Sequence, residues 1–295
     1  MAFAPQERRN IMNSEKFGQS GSRSDILRWI TYAIAVLALN FPVIVTLITS
    51  FKSGKEISVN PGFWISDPTL ANYAQILQVT DRLNIFAYLF NSLAASLIGT
   101  VLAMLITFPA AYAIARGEYG RKVLMPLIVN LRAVPLIIFA IPLYMMFQFA
   151  GLLDTQLGLG LILTIVNLPL SLIVFVNAIA DVPFEIDEAA KLDGLSNWGI
   201  MKQVILPVCR PALATVFIFG FITAWNEFLF GLMLTSNRAV PMTVGASFFF
   251  AASGGGIQWG AASAVMIIGA LPPMLIGIIM YRQISGSMTA GAVKG

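Results

Sequence analysis

The chain of 295 residues contains no histidine. That removes the side chain most often used as a general base near neutral pH. Cysteine occurs once, as Cys209. No disulfide can close within the chain, and no Cys/His metal site can be assembled. Charge is scarce: Asp, Glu, Lys and Arg make up 11% of residues, against roughly 25% in soluble domains. No G-x-x-x-x-G-K-[ST] phosphate loop is present. Gly54-Lys55-Glu56 lacks both the upstream glycine and the hydroxyl. No nucleophile–base set is visible, which argues against a Ser or Cys hydrolase.

What is abundant is apolar surface, at 58% of residues. A membrane-crossing helix needs about 20 mostly apolar residues. Six stretches qualify: 27–50, 91–115, 123–149, 157–180, 211–234 and 259–281. Helix is the expected form, because backbone exposed to lipid must satisfy its own hydrogen bonds. Pro42, Pro109, Pro135, Pro142, Pro169, Pro272 and Pro273 fall inside these stretches, where each removes a donor and can bend a helix.

The net charge of +4 matters less than its distribution. Arg8, Arg9, Lys16, Arg23, Arg28, Arg116, Arg121, Lys122, Lys191, Lys202, Arg210, Arg282 and Lys294 fall on one side of the expected membrane. Lys52, Lys55, Arg82 and Arg238 fall on the other. The bias places both termini in the cytoplasm, with nucleic acid not expected as a partner. The first apolar stretch reads as an uncleaved anchor. The expected organisation is a polar cytoplasmic tail at 1–26, a first span at 27–50 and an external segment at 51–90. A five-helix core follows at 91–281, with a cytoplasmic loop at 181–210, and then a tail at 282–295. Trp64, Pro61, Pro68, Leu70, Tyr73 and Leu77 make segment 51–90 either a seat for an external partner or a packed cap. Gly254-Gly255-Gly256 gives flexibility to the loop at 235–258. No internal repeat of the kind expected in inverted-repeat transporters is apparent.

The loop from Asp181 to Pro207 is the most informative segment. Pro183 suits a first helical turn, and Glu185, Asp187 and Glu188 place negative charge at that helix's positive end. Gly194 is a natural stop, and Ser196 can cap a second helix. That helix is expected to end near Leu206, since Pro207 disfavours helical geometry in the residue before it. Trp198, Met201 and Ile205 give it an apolar face, and small Ala189 and Ala190 permit close approach. Such an amphipathic pair suits either docking into a partner's groove or lying among lipid headgroups.

Glu188-Ala189-Ala190, then Gly194, then Val204-Ile205-Leu206-Pro207 resembles the EAA motif of ABC-importer permeases, with Val204 in place of the usual Ile. Asn91-Ser92-Leu93, Gly151-Leu152-Leu153-Asp154-Thr155, Asn167-Leu168-Pro169 and Ala224-Trp225-Asn226-Glu227-Phe228 extend the resemblance to the MalG-like carbohydrate permeases. The resemblance implies an all-α, six-span, MetI-like type I importer fold. It further implies a second, MalF-like permease, two identical ATPase subunits that bind ATP and Mg, and a periplasmic sugar-binding protein. This chain itself would carry no cofactor. By the same resemblance, Glu188, Ala189, Ala190, Asp193, Gly194, Leu206 and Pro207 couple to the ATPase. The tail residues Thr289, Ala290, Gly291 and Lys294 touch it as well.

Charges at the bilayer centre cost about 2.5–3.5 kcal/mol on insertion scales. Arg132 and Glu227 therefore either line a polar path or secure helix packing. Sugars are held by aromatic faces and a few converging polar groups, which makes Trp225, Asn226 and Asn167 candidate liners, ahead of Tyr144. The Met145-Met146-Phe147 and Phe248-Phe249-Phe250 runs read as packing. The alternative functions are an ion-coupled secondary transporter using Glu227 or Arg132, and a membrane scaffold whose loop recruits a partner.

Overall fold

The computed structural model describes residues 22–80, 83–117, 119–250 and 257–292. The expectations for the polar tail before residue 22, for Arg82, for Gly254-Gly255-Gly256 and for Lys294 lie outside them. No strand occurs among the described residues.

Four helices are long and apolar enough to cross a membrane unbroken. They are α1 (Ser22–Ser50), α4 (Ile85–Gly117), α7 (Gln156–Ala180) and α13 (Trp259–Ala292). Short α2 (Gly54–Val59) and α3 (Ala71–Leu77) follow α1. The other two apolar stretches are each divided, which corrects the expectation of continuous spans. The stretch at 123–149 becomes α5 (Arg121–Ala133) and α6 (Ile137–Phe149), separated at Pro135. The stretch at 211–234 becomes α10 (Arg210–Trp225) and α11 (Leu229–Leu234), and α12 (Met242–Phe250) follows. No proline causes this second break. Glu227 Oε2 instead accepts from the backbone N–H of Phe230 (2.9 Å) and Gly231 (3.3 Å). A carboxylate thus starts α11 where an apolar run suggested continuity.

α4 and α7 form the central pair. Gly99 and Gly160 make their close approach possible. A Cβ on Gly99 would lie 2.6 Å from Leu163 Cβ, and one on Gly160 would lie 2.5 Å from Ile98 Cγ2. Buried Ala95, Ser96, Thr100 and Ala103 continue the small-residue seam on α4, as expected where helices pack without a hydrophobic driving force. α1 is peripheral and largely exposed, with Trp29 73% and Leu39 80% accessible; it lies against α13. α13 runs on past the expected end at 281, through a sequence with no proline after Pro273.

Within the external segment expected at 51–90, the residues up to 80 fold back onto the end of α1. Ser50 and Tyr73 share a hydroxyl hydrogen bond of 2.8 Å, and Asn72 Nδ2 donates to the carbonyls of Ser50 and Lys52. Lys52 is buried and donates to the carbonyls of Asn60 and Gly62. Trp64 stays 85% exposed.

Candidate functional site: a two-faced hairpin and the ties that hold it

The loop after α7 folds into α8 (Phe184–Leu192) and α9 (Asn197–Val208). Pro183 precedes α8 with φ −54°, the geometry its ring enforces. α8 ends in a Schellman arrangement: Gly194 N–H donates to Lys191 O (3.0 Å) and Leu195 N–H to Ala190 O (3.0 Å). Gly194 sits at φ +85°, a conformation costly for any residue with a Cβ. Ser196 Oγ then accepts from Gly199 N–H at 3.3 Å and starts α9.

α9 passes Pro207 and ends at Val208, beyond the expected stop at Leu206. Met201–Ile205 is a π-helical turn, which widens the ladder ahead of the proline ring. The chain then bends by 76° at Cys209 into α10. The expected apolar face is also revised. Met201 and Ile205 are buried together with Ile200, whereas Trp198 is 65% exposed.

The hairpin does not hang free. Ala190, Ile200, Met201 and Ile205 belong to one core with Phe108, Ile114, Phe175 and Ile179 of α4 and α7. Ala190, expected on the docking surface, is only 6% accessible. Its small size serves contact within the chain. The accessible members of the motif are Glu188, Ala189, Asp193, Gly194 and Pro207, with Leu206 half-buried. Beside them stands Leu192, 89% exposed.

Asp187 turns the other way. Its side chain is 2% accessible and pairs with Arg116 in the last turn of α4, Nη2 to Oδ2 at 2.8 Å. Arg116 Nε also donates to Oδ1 at 3.2 Å, and Tyr112 Oη donates to the same oxygen at 3.2 Å. The Arg116 guanidinium and the Lys191 ammonium each lie 5.7 Å from the Phe184 ring centroid.

At the other end of α7 a second carboxylate does comparable work. Asp154, at φ +53°, accepts from the backbone N–H groups of Ser236, Asn237, Arg238 and Ala239 at 3.0–3.2 Å. Partial burial disfavours its charge, but these four donors outweigh that and bring the carboxyl down to about 2 from 3.8. Asn91 Nδ2 donates to the carbonyls of Arg238 and Val240, and Ser92 Oγ accepts from Met242 N–H.

Between the two ends lies a cavity of about 430 Å³. It is apolar except for Asn167 of α7 and Thr223 of α10, and it touches both span breaks through Leu136 and Phe230. Asn167 is 1% accessible; its Nδ2 donates to Gly220 O at 3.2 Å, while Oδ1 is left unpaired. The other expected liners do not join it. Trp225 is 3% accessible, stacks on Phe221 and donates to Gly269 O at 3.1 Å, so it is core. Asn226 is exposed and bonds to Ile222 O of its own helix. Glu227 is committed to starting α11. The side chains of Arg132, Thr289, Ala290 and Gly291 lie outside the described ones.

The family model of the binding-protein-dependent transport system inner membrane component matches residues 99–289. This chain belongs to that family. The permease is 33% identical over 275 residues to the sulfoquinovosyl glycerol transport system permease protein SmoH of Agrobacterium fabrum, covering 91% of this chain and 94% of that protein. It is 31% identical to the trehalose/maltose transport system permease protein MalG of Thermococcus litoralis, covering 92% of this chain and 99% of that one. A bacterial ABC transporter involved in the import of the acidic polysaccharide alginate superposes with a TM-score of 0.72 at 20% identity, covering 90% of this chain and 98% of that chain. The permease therefore has the MetI-like fold and is a multi-pass protein of the inner membrane. Sequence reasoning placed the permease's hairpin but missed Arg116 and Tyr112. Their partner Asp187 is more than 70 residues away, and only the charged residue in the last turn of an apolar helix hinted at it.

Proposed function

We propose that this permease is one of two unlike membrane subunits of an ATP-driven importer of a sugar or sugar derivative. The observation that carries the reading is the division of the hairpin. Asp187, Ala190, Met201 and Ile205 are built into the bundle, while Glu188, Ala189, Leu192, Asp193 and Gly194 face outward. A surface leucine at a helix–turn–helix tip, with Glu188, Lys191 and Asp193 exposed on the same short stretch, fits an apolar groove with a charged rim. In the orientation favoured by the Lys/Arg bias, the hairpin and both termini are cytoplasmic. A pair of ATPase subunits would grip it there and supply ATP and Mg, since this chain has no phosphate loop. Thr289, Ala290, Gly291 and Lys294 would add a second contact. A soluble sugar-binding protein would deliver substrate to the opposite face.

The relatives' names, which span sulfoquinovosyl glycerol and trehalose/maltose, support a carbohydrate cargo. The cavity beside Asn167 and Thr223 is the candidate path, with the second permease supplying the facing wall. An ion-coupled mechanism through Glu227 is disfavoured by that carboxylate's engagement as the start of α11.

The test is uptake in proteoliposomes carrying the two permeases and the ATPase, with binding protein outside and a panel of labelled glycosides. Uptake is expected to stop on ATP depletion and to persist when ion gradients are collapsed. The reverse pattern would overturn the reading.

A further inference from the structure

We propose that the hairpin and the end of α4 carrying Arg116 move as one rigid lever, with Arg116 and Asp187 as its positioning residues. The proposal rests on the reading that an ATPase grips the hairpin's free face, and it names how that grip reaches the spans. α8 has nine residues, too few to hold a helix by itself in water. A partner pressing on Leu192 would tilt α8 unless something on its far side resisted.

Two kinds of contact are available. Ile200, Met201 and Ile205 pack against Phe108, Ile114 and Phe175; such contacts are non-directional and allow sliding. The Asp187 carboxylate is different. Arg116 Nε donates to Oδ1 at 3.2 Å, and Nη2 stands 2.8 Å from Oδ2 as a charge contact without hydrogen-bond alignment; a directed hydrogen bond between charged groups fixes orientation as well as distance. Tyr112 adds a third contact from the preceding turn of α4, so two successive turns of one transmembrane helix hold one side chain of α8. Phe184, the first residue of α8, lies against the same guanidinium. The pair is nearly closed to solvent, with side chains 10% and 2% accessible. Parting it would leave an uncompensated charge in a low-dielectric site. Position 187 also adjoins Glu188, which faces the other way. Adjacent residues thus address the two bodies to be connected.

The test uses the full complex in lipid nanodiscs, in a Cys209→Ala background. Spin labels are placed at Leu105→Cys on α4 and Glu185→Cys on α8, both exposed and outside the docking residues. With the native pair, the distance between labels is expected to be the same without nucleotide and with ADP and vanadate trapped. In the Arg116→Gln/Asp187→Asn double variant, which keeps the shapes and removes the charges, trapping is expected to shift or broaden it by about 5 Å, one helical turn. Arg116→Lys, which keeps the charge but loses the directed Nε bond, should fall between them and stands in if the double variant does not assemble. A native distance that changes on trapping overturns the lever, as does a charge-free or Lys variant that behaves like the native pair. Hydrogen exchange at the Leu192 amide on adding ATPase separates the two ideas. Exchange left unchanged in the assembled complex removes the docking reading, and the lever with it. Protection of that amide together with an altered native distance removes the lever alone.

Discussion

Each end of the bundle is tied by one carboxylate, but the partners differ in kind. Asp154 is met by four backbone N–H groups of the 236–239 turn. Asp187 is met by two side chains, Arg116 and Tyr112, from another helix. Backbone donors cannot change rotamer, and they survive most substitutions in the segment that supplies them. Side-chain donors place charge against charge inside a helix bundle, with large penalties for losing one member. The Asp154 end is therefore fixed by fold, and the hairpin end is fixed by a pair.

The largest effect expected from this comparison is at Arg116. Arg116→Ala strands the Asp187 carboxylate and should cost about 3–5 kcal/mol, read as early loss of the monodisperse species on heating in detergent. Asp154→Ala, which leaves four N–H groups short of an acceptor, should cost about 1–3 kcal/mol. A cost equal to that of Arg116→Ala would erase the distinction. Asp154 also predicts a pH effect. Its carboxyl is lower in the folded chain, so its contribution is complete above 3.8 and is lost as pH falls through about 2. A carboxyl ¹³C titration midpoint for Asp154 near 3.8 in the folded protein would contradict the four-donor arrangement.

A matched pair sharpens the comparison further. Gly194 at the hairpin and Gly151 at the opposite end have φ +85° and +66°, and a Cβ on either meets nothing within 4 Å. Alanine at each should cost a similar amount, about 1–2 kcal/mol, in the same melting measurement. Asp at each should separate them: Gly194→Asp is expected to uncouple ATP hydrolysis from uptake, and Gly151→Asp is not. The smallest stability change belongs to Leu192→Ala, within about 0.5 kcal/mol, although coupling should weaken. A Leu192→Ala permease with unimpaired coupling would remove Leu192 from the docking face.

The hairpin was legible because its signals are local. Pro183, Gly194 and Ser196 each act within a few residues; Gly194 and Ser196 take the expected places, and Pro183 stands one position earlier, capping α8 rather than opening its first turn. The spans were legible as composition, but not their interruptions. Pro135, a possible bend by sequence, is a full break; Asn226, a candidate liner by sequence, ends one helix, and Glu227, by sequence either a path residue or a packing residue, begins the next. Ala190 looked like part of an outward face because the sequence does not say which side of α8 meets α4. Arg116 with Asp187, and Asp154 with the 236–239 turn, are long-range pairs. Nothing in their own neighbourhoods names the partner.

The π turn at Met201–Ile205 takes up a surplus residue inside α9. Such a turn holds one residue more than an α turn. Because the surplus is absorbed locally, the ladder resumes in register on either side of it. Deleting one residue there should leave an ordinary α turn, with Pro207 and the bend at Cys209 on their present bearing, whereas the same deletion in plain α-helix would turn everything beyond it by about 100°. The hairpin thus contains a slack link, a place where chain length can change by one without re-aiming α10.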